Sequence, residues 1–195
     1  SIELGAVYNI PIMVASSTSN APGTIIHGGV NMEVSNKVRG VAYDLDVAKI
    51  TVRGVPDMPG IAAMLFQPLA DAGISVDTIV QNASVERLTD VTFTVPRQYT
   101  SQSVAVIGPI AKSINATECL SDAGLGKVSI VGTGMQNTPG YASLMFQALH
   151  EANINIEMIT TSEIRITCIV AEARVKDAVR VLHKAFQLDQ PDAPM

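Results

Sequence analysis

The sequence contains few aromatic residues and few cysteines. Its 195 residues include no Trp, aromatic residues make up 4%, and the two Cys are Cys119 and Cys168. Two isolated thiols have neither the number nor the spacing of a disulfide framework or a zinc site, which indicates core thiols in a reducing cytoplasm. With so few rings, a core must be filled by Ala, Val, Ile and Met, which is typical of small α/β layers.

Charged residues are scarce as well. They make up 16% of the chain, the net charge is −5, and Lys and Arg form no cluster, which argues against a nucleic-acid-binding surface. The 47% hydrophobic content excludes a disordered chain. No apolar run approaches the roughly 20 residues of a membrane helix, and the N-terminus does not resemble a signal peptide. We therefore expect one or two globular domains in the cytoplasm, with neither a nucleic-acid nor a membrane partner.

An internal repeat organises the chain. The segment KITVRGVPDMPGIAAMLFQPLADAGISVDTIVQN (49–82) resembles KVSIVGTGMQNTPGYASLMFQALHEANINIEMITTS (127–162). The matches stay in register apart from two extra residues before the second Pro-Gly, and they pair Lys49 with Lys127, Pro59-Gly60 with Pro139-Gly140, Phe66-Gln67 with Phe146-Gln147, and Ile79 with Ile159. So many matches in one register indicate a duplication.

Each copy predicts the same order of elements. Alternating apolar residues predict a strand, Pro-Gly follows in a loop, and apolar residues at helical spacing then predict a helix. Two more strands and a second helix follow, and in the first copy Gly108-Pro109 is expected to interrupt that helix. The predicted fold class is α+β, with two ferredoxin-like βαββαβ repeats and helices on one face of antiparallel sheets.

The last strand of the second copy is missing from its expected place. The first copy is predicted to close with a strand near residues 117–120, whereas after Phe186 only a polar, Pro-broken tail remains. Upstream, Val41, Tyr43 and Leu45 alternate with polar residues and predict a strand. We infer that this strand completes the second sheet, so that the first repeat is inserted in the second.

Two such repeats, each with Pro-Gly before its first helix, resemble ACT domains, the amino-acid-sensing modules of biosynthetic enzymes. The stretches GVAYDLDVAKITVRGVPDMPGIAA, VDTIVQNAS, KVSIVGTGM, NINIEMITTSEIRI and VLHKAFQL are similar to aspartate kinases. The resemblance implies a remnant of the kinase domain and linker at 1–31, a first ACT repeat at 48–126, and a second at 127–190 plus the strand 38–46. Met32 stands where some family members start a separate regulatory subunit.

The resemblance does not extend to the catalytic elements of that family. Its Gly-rich KFGGTS-type motif is absent, and Gly28-Gly29 and Gly132-x-Gly134 are too short to hold phosphates. We therefore expect no catalytic residue, metal or cofactor here, since ATP and magnesium belong to the kinase domain. Two alternatives are an enzyme on a ferredoxin-like scaffold, for which no nucleophile–base pair or carboxylate dyad is visible, and a stand-alone ACT-type sensor of another pathway.

The first Pro-Gly loop has the chemistry to bind a free amino acid. A helix N-terminus attracts a carboxylate, and Gly60 lets a ligand approach the backbone closely. Asp57 can accept hydrogen bonds from an ammonium, and Gln81 lies at the end of a predicted strand. The alternatives are that Pro-Gly only caps the helix, that Asp57 is a turn residue, and that Asn155 caps a turn.

The resemblance assigns effector-binding roles. The threonine pocket of the family matches Asp57, Gly60, Ile61, Ala62 and Gln81, with Asn155 and Ile156 contributed from a second repeat. A lysine-responsive site matches Ser84, Gly140, Tyr141, Ala142 and Ser162. The second loop carries Met135-Gln136 in place of an acid, so an ammonium there is expected to lack a countercharge, and threonine to prefer the first site.

The resemblance also implies partners. We expect threonine, alone or with lysine, to inhibit the kinase by feedback in aspartate-family and lysine biosynthesis. The ACT repeats are expected to form a homodimer, attached to a catalytic domain or subunit of aspartate kinase.

Overall fold

The structure is a computed structural model that describes residues 10–18, 23–26, 38–82, 87–133, 135 and 138–189. The chain forms two compact units, Ser1–Ser35 and Asn36–Met195. In the first unit, β1 (Ile12–Val14) pairs antiparallel with β2 (Thr24–Ile26). None of the described helices is long and apolar enough to cross a membrane.

The second unit contains the two repeats, each a four-stranded antiparallel sheet with two helices. The first repeat comprises β4 (Ala48–Pro56), α1 (Ile61–Asp71), β5 (Ile79–Gln81), β6 (Leu88–Val95), α2 (Thr100–Ser113) and β7 (Glu118–Asp122). The second comprises β8 (Leu125–Gly132), α3 (Tyr141–Glu151), β9 (Met158–Thr161), β10 (Arg165–Ala171) and α4 (Val175–Ala185), together with β3 (Val38–Asp44). The sheet orders are β5-β6-β4-β7 and β3-β8-β10-β9.

The nested arrangement predicted from the sequence is present. β3 pairs antiparallel with β8, with Val41 opposite Ile130 and Tyr43 opposite Val128. Val38 is buried and Val41 and Leu45 pack against the second core. Tyr43 does not join them, because its side chain is 56% exposed. The second sheet therefore takes its last strand from the segment that precedes the first repeat.

The predicted interruption of α2 is wrong. The helix is continuous from Thr100 to Ser113 with Pro109 inside it. Pro109 has no N–H, so the carbonyl of Ala105, four residues earlier, receives no helical hydrogen bond from it. Both residues are exposed, so water can hydrogen-bond to this carbonyl instead. The opposite side of the helix is buried through Ser103, Ile107 and Ala111, which holds the helix against its sheet.

One face of each sheet packs on its own helices. In β8, Val128 and Ile130 face α3 and α4 in the second core. In β4, Ile50 and Val52 face α1 and α2 in the first core. Because successive side chains in a strand point to opposite faces, Lys49 and Lys127 lie on the faces away from the helices.

A small apolar cluster joins the two repeats. Val47, Leu125 and Ile169 are buried together, and Met158 packs against them. Val47 and Leu125 occupy equivalent positions in the duplication, because each lies two residues before the matched lysine, Lys49 or Lys127. The cluster therefore lies where the two copies meet with near-twofold symmetry.

Ion pairs surround this cluster in the same symmetric way. Lys49 Nζ lies 3.1 Å from Glu157 Oε2, and Lys127 Nζ donates to Asp77 Oδ2. Lys127 is the counterpart of Lys49, and Asp77 that of Glu157, so the two pairs are one interaction made twice.

Arg97 adds a further link between the repeats. Its guanidinium lies 3.1 Å from Glu172 Oε2 and donates to the Leu125 carbonyl at 2.9 Å. Its backbone N–H donates to Asp46 Oδ1 at 2.8 Å. Arg97 belongs to the first repeat and Leu125 and Glu172 to the second, so this side chain connects the two sheets directly.

The nested topology predicts that removal of β3 destabilises the second repeat. A chain that begins at Asp46 loses the β8 partner and the buried Val38, but it keeps the Asp46 contact with Arg97. A fully buried Val contributes about 1.5–3 kcal/mol, so we expect urea denaturation to show a free energy of unfolding lower by at least about 2 kcal/mol. A chain that begins at Asn36 is the control. Equal unfolding midpoints for the two chains would contradict the nested topology.

The inter-repeat ion pair predicts an acid dependence of stability. The hydrogen bond from Lys49 is the largest cause that lowers the pKa of Glu157 below its ordinary value, and the hydrogen bond from Asn155 lowers it further. A lowered folded-state pKa gives stability that is present above the unfolded value, about 4.3 for Glu, and is lost as the pH falls through the folded-state pKa. We therefore expect Glu157→Gln to lose less stability than the wild type between pH ~5 and pH ~3 in urea titrations.

Salt is the control for this acid dependence, because screening weakens a partly exposed ion pair. In 1 M NaCl the difference between the wild type and Glu157→Gln should shrink. An identical pH dependence of the two proteins at low salt would show that the pair does not contribute.

Candidate functional site

The start of α1 is where the sequence predicts amino-acid binding. β4 ends at Pro56, and Gly60 adopts φ 91°, a left-handed backbone conformation that residues other than glycine rarely adopt. The Met64 N–H donates to the Gly60 carbonyl at 3.0 Å, which begins the helix. A Cβ on Gly60 would have no heavy atom within 4 Å, so the space beside this residue is open.

The predicted side chains around this helix start differ in exposure. Asp57, Ala62 and Gln81 are exposed, whereas Ile61 is 3% exposed and belongs to the first core. The Ile61 N–H donates to the Met58 carbonyl at 3.3 Å. Ile61 is thus fixed by the fold, and a ligand at this end of the helix would meet the first-turn N–H groups that follow it.

Asp57 and Gln81 follow or end strands that run in the same direction in the first sheet. The Asp57 N–H donates to the Arg87 carbonyl at 2.8 Å, just before β6 begins. Gln81 pairs with Val91 and ends β5, which runs toward the same end. Ser84, the remaining predicted residue on this side, lies outside the described residues.

The second repeat repeats this geometry and encloses a pocket. Gly140 has φ 107°, and the Leu144 N–H donates to its carbonyl at 2.9 Å. The pocket has a volume of about 460 Å³. Its lining includes four of the five predicted lysine-site residues, and the full set is Met135, Thr138, Pro139, Gly140, Tyr141, Ala142, Thr161, Ser162, Glu163 and Ile166.

The expectation that this second site lacks a countercharge is wrong. Glu163, in the turn between β9 and β10, lines the pocket together with Gly140 and Ser162. The loop before the helix carries Met135 and no acid among the described residues. The acid instead follows the second strand, at a position that the turn places beside the helix start. The Ser162 N–H and the Arg165 carbonyl close this turn at 2.8 Å.

Tyr141 contributes to the pocket wall from a fixed position. Its ring is stacked on Phe186, with centroids 6.3 Å apart and planes 10° from parallel. The residue is half-buried and packs against the second core. The wall on this side of the pocket is therefore anchored by the core.

Asn155 and Ile156 lie far from Asp57 within one chain. They precede Glu157, which pairs with Lys49 at the beginning of β4, whereas Asp57 follows the end of that strand. Because a bulge between Val52 and Val55 shortens β4 by about one residue, the strand advances roughly 23 Å between Lys49 and Asp57 at ~3.3 Å per residue. The fold therefore places Asp57 and Gly60 beyond the end of β4, whereas Asn155 lies near its beginning.

The two cysteines have no reactive character in this fold. Burial raises the pKa of Cys168 to about 12 and also raises the pKa of Cys119. A thiolate is the nucleophilic form of cysteine, so both thiols stay protonated near neutral pH. Cys168 lies in the second core, and Cys119 packs against the first.

Comparison with known proteins agrees with this architecture. A family model described as ACT domain matches residues 50–108 and 128–186, which together make up more than half of the chain. An aspartate kinase from Pseudomonas fluorescens is 44% identical over 193 residues, which cover 97% of this chain and 46% of that protein. The chain thus spans about half the length of the curated relatives it matches.

Solved structures define the resemblance more closely. The ligand-free regulatory subunit of aspartate kinase from Thermus thermophilus superimposes with a TM-score of 0.73 at 41% identity, over 77% of this chain and 99% of that subunit. A structure of aspartokinase alpha and beta subunits matches with a TM-score of 0.72 at 44% identity, over 77% of this chain and 99% of the matched chain. With its two nested repeats and its paired helix-start sites, the chain belongs to the family of tandem ACT regulatory regions of aspartate kinases.

Proposed function

We propose that this region binds threonine at a site shared between two copies of the chain. One copy supplies Asp57, Gly60 with the first turn of α1, and Gln81. The second copy supplies Asn155 and Ile156. The observation that supports this division is the separation of the two groups within one chain, because Glu157 pairs with Lys49 at the far end of β4.

The chemistry of the first group suits the backbone of an amino acid. The α1 N-terminus offers first-turn N–H groups and the positive end of the helix dipole to the carboxylate. Asp57 is exposed and can accept the ammonium in a charge-assisted hydrogen bond. Gln81 adds an amide that can donate or accept. Gly60 keeps the approach open, since a Cβ there would meet no neighbour.

The second-repeat pocket is proposed as the site for lysine. Its volume of about 460 Å³ lies within the 300–1,000 Å³ usual for small-molecule sites. Gly140, Tyr141, Ala142 and Ser162 line it, and Glu163 provides the carboxylate that a cationic ligand requires. Ser84 is the further residue assigned to this site by the family resemblance.

Binding at these sites would regulate an attached catalytic domain. An effector shifts a conformational equilibrium only by its difference in affinity for the two states, and the catalytic state changes effector affinity by the same factor. Relatives that are about twice as long carry the name aspartate kinase. We propose feedback inhibition of such a kinase in aspartate-family amino-acid biosynthesis, in the cytoplasm, with ATP and magnesium bound by the catalytic part.

Calorimetric titration with threonine tests the first-repeat site. Asp57→Ala removes the acceptor for the ammonium and Gln81→Ala removes the amide, so each should weaken threonine binding at least tenfold, which corresponds to about 1.4 kcal/mol. Ser162→Ala is the matched control in the second pocket, and it should change threonine affinity less than about twofold. The same variant should weaken lysine binding more than threonine binding.

Two results would contradict this assignment. Unchanged threonine affinity in Asp57→Ala, or a loss confined to Ser162→Ala, would place threonine in the second-repeat pocket. A thermal-shift panel of the twenty amino acids extends the test, because a ligand that binds only the folded chain raises its melting temperature. Stabilisation by an amino acid outside the aspartate family would instead favour a stand-alone ACT sensor of another pathway.

A further inference from the structure

Glu157 is held at three points in the contact between the repeats. Its Oε2 atom lies 3.1 Å from Lys49 Nζ, and its Oε1 atom accepts a hydrogen bond from Asn155 Nδ2 at 3.0 Å. Its backbone N–H donates to the carbonyl of Ile169 at 2.8 Å. Ile169 is fully buried in the apolar cluster that joins the repeats, so Glu157 has a rigid support.

This arrangement fixes which way the Asn155 amide points. An ionised carboxylate can only accept hydrogen bonds, so the amide group that faces it must be the NH₂. The carbonyl Oδ1 of Asn155 is then directed away from Glu157 as an acceptor. An amino acid with an ammonium and a hydroxyl, such as threonine, presents donors that match this oxygen.

Arg174 fixes the turn before Asn155 from the other side. Its two terminal nitrogens donate to the carbonyls of Asn153 at 2.9 Å and Ala152 at 3.0 Å. These carbonyls lie just after the last residue of α3, Glu151, where a cation is favoured by the helix dipole. The segment from Ala152 to Glu157 is therefore anchored at both ends.

The first repeat does not reproduce these anchors. The duplication places Ser75 at the position of Asn155 and Tyr99 at that of Arg174. Ser75 carries no amide, and a tyrosine cannot donate two hydrogen bonds to neighbouring carbonyls. The Lys–carboxylate pair itself is kept in both repeats. At this contact, the copies therefore differ in the residues that orient position 155.

We propose that Glu157, held by Lys49, is a positioning residue that presents the Asn155 carbonyl to an effector bound at the helix start of a second copy. The proposal rests on the proposed function of that site. It makes the inter-repeat ion pair part of effector recognition, and it explains why one of two symmetric ion pairs carries an additional hydrogen bond to an asparagine.

Threonine titration of the 195-residue chain tests the proposal. Glu157→Ala should weaken threonine binding about five- to tenfold, although this residue does not touch the ligand. Asp77→Ala is the matched control, because it breaks the equivalent pair with Lys127 but leaves Asn155 oriented, and it should change the affinity less than about twofold. Comparable melting temperatures of the two variants would show that loss of an ion pair alone does not explain the difference.

A double-mutant cycle shows whether Glu157 acts through Asn155. If it does, the double variant Glu157→Ala/Asn155→Ala should bind threonine no more weakly than Asn155→Ala alone. Additive losses would overturn the proposal, as would equal losses in Glu157→Ala and Asp77→Ala. Neither outcome would contradict the proposed threonine site itself.

NMR of the ligand-free chain shows whether the Asn155 amide is hydrogen-bonded to Glu157 in solution. The side-chain amide resonances of Asn155 should shift in Glu157→Ala and remain unchanged in Asp77→Ala. If both variants leave these resonances unchanged, the orientation mechanism is overturned. Absence of threonine binding by the wild type would overturn the proposed function and this proposal together, so the two kinds of failure are distinguishable.

Discussion

The contact between the two repeats is the constraint on which the rest of the molecule depends. Val47, Leu125 and Ile169 form its apolar centre, and the Lys49–Glu157 and Lys127–Asp77 pairs lie around it. Exposed ion pairs contribute little stability individually, but here they fix how the two repeats are oriented at their contact. The Lys49–Glu157 pair holds the turn that carries Asn155 against the beginning of β4, while Asp57 and Gly60 follow its end.

The duplication then produces similar sites with different chemistry. Both helix starts use a left-handed glycine with open space beside it, at Gly60 and Gly140. The first places its acid before the helix, at Asp57, and the second places Glu163 after the second strand, where it lines the pocket. Under the proposed function, the two copies would present a carboxylate to an amino acid from different directions, which would be a physical basis for different ligand preferences.

Much of the fold could be predicted from the sequence, because register-locked repeats with periods typical of strands and helices specify it. The nested strand β3 was predictable from the missing last strand of the second copy. Continuity of α2 through Pro109 was not, since it depends on which side of the helix is exposed. The role of Glu163 and the symmetric ion pairs also depended on tertiary geometry, because Lys49 and Glu157 are 108 residues apart in the chain.

The central claim, that one effector site takes residues from two copies, is tested most directly by complementation. Asp57→Ala and Asn155→Ala chains carrying different affinity tags can be co-expressed and the mixed dimer purified. The account predicts that each parent binds threonine weakly, whereas the mixed dimer regains one site of wild-type affinity, at half the wild-type stoichiometry in calorimetry. A mixed dimer that binds threonine as weakly as either parent would contradict the shared site.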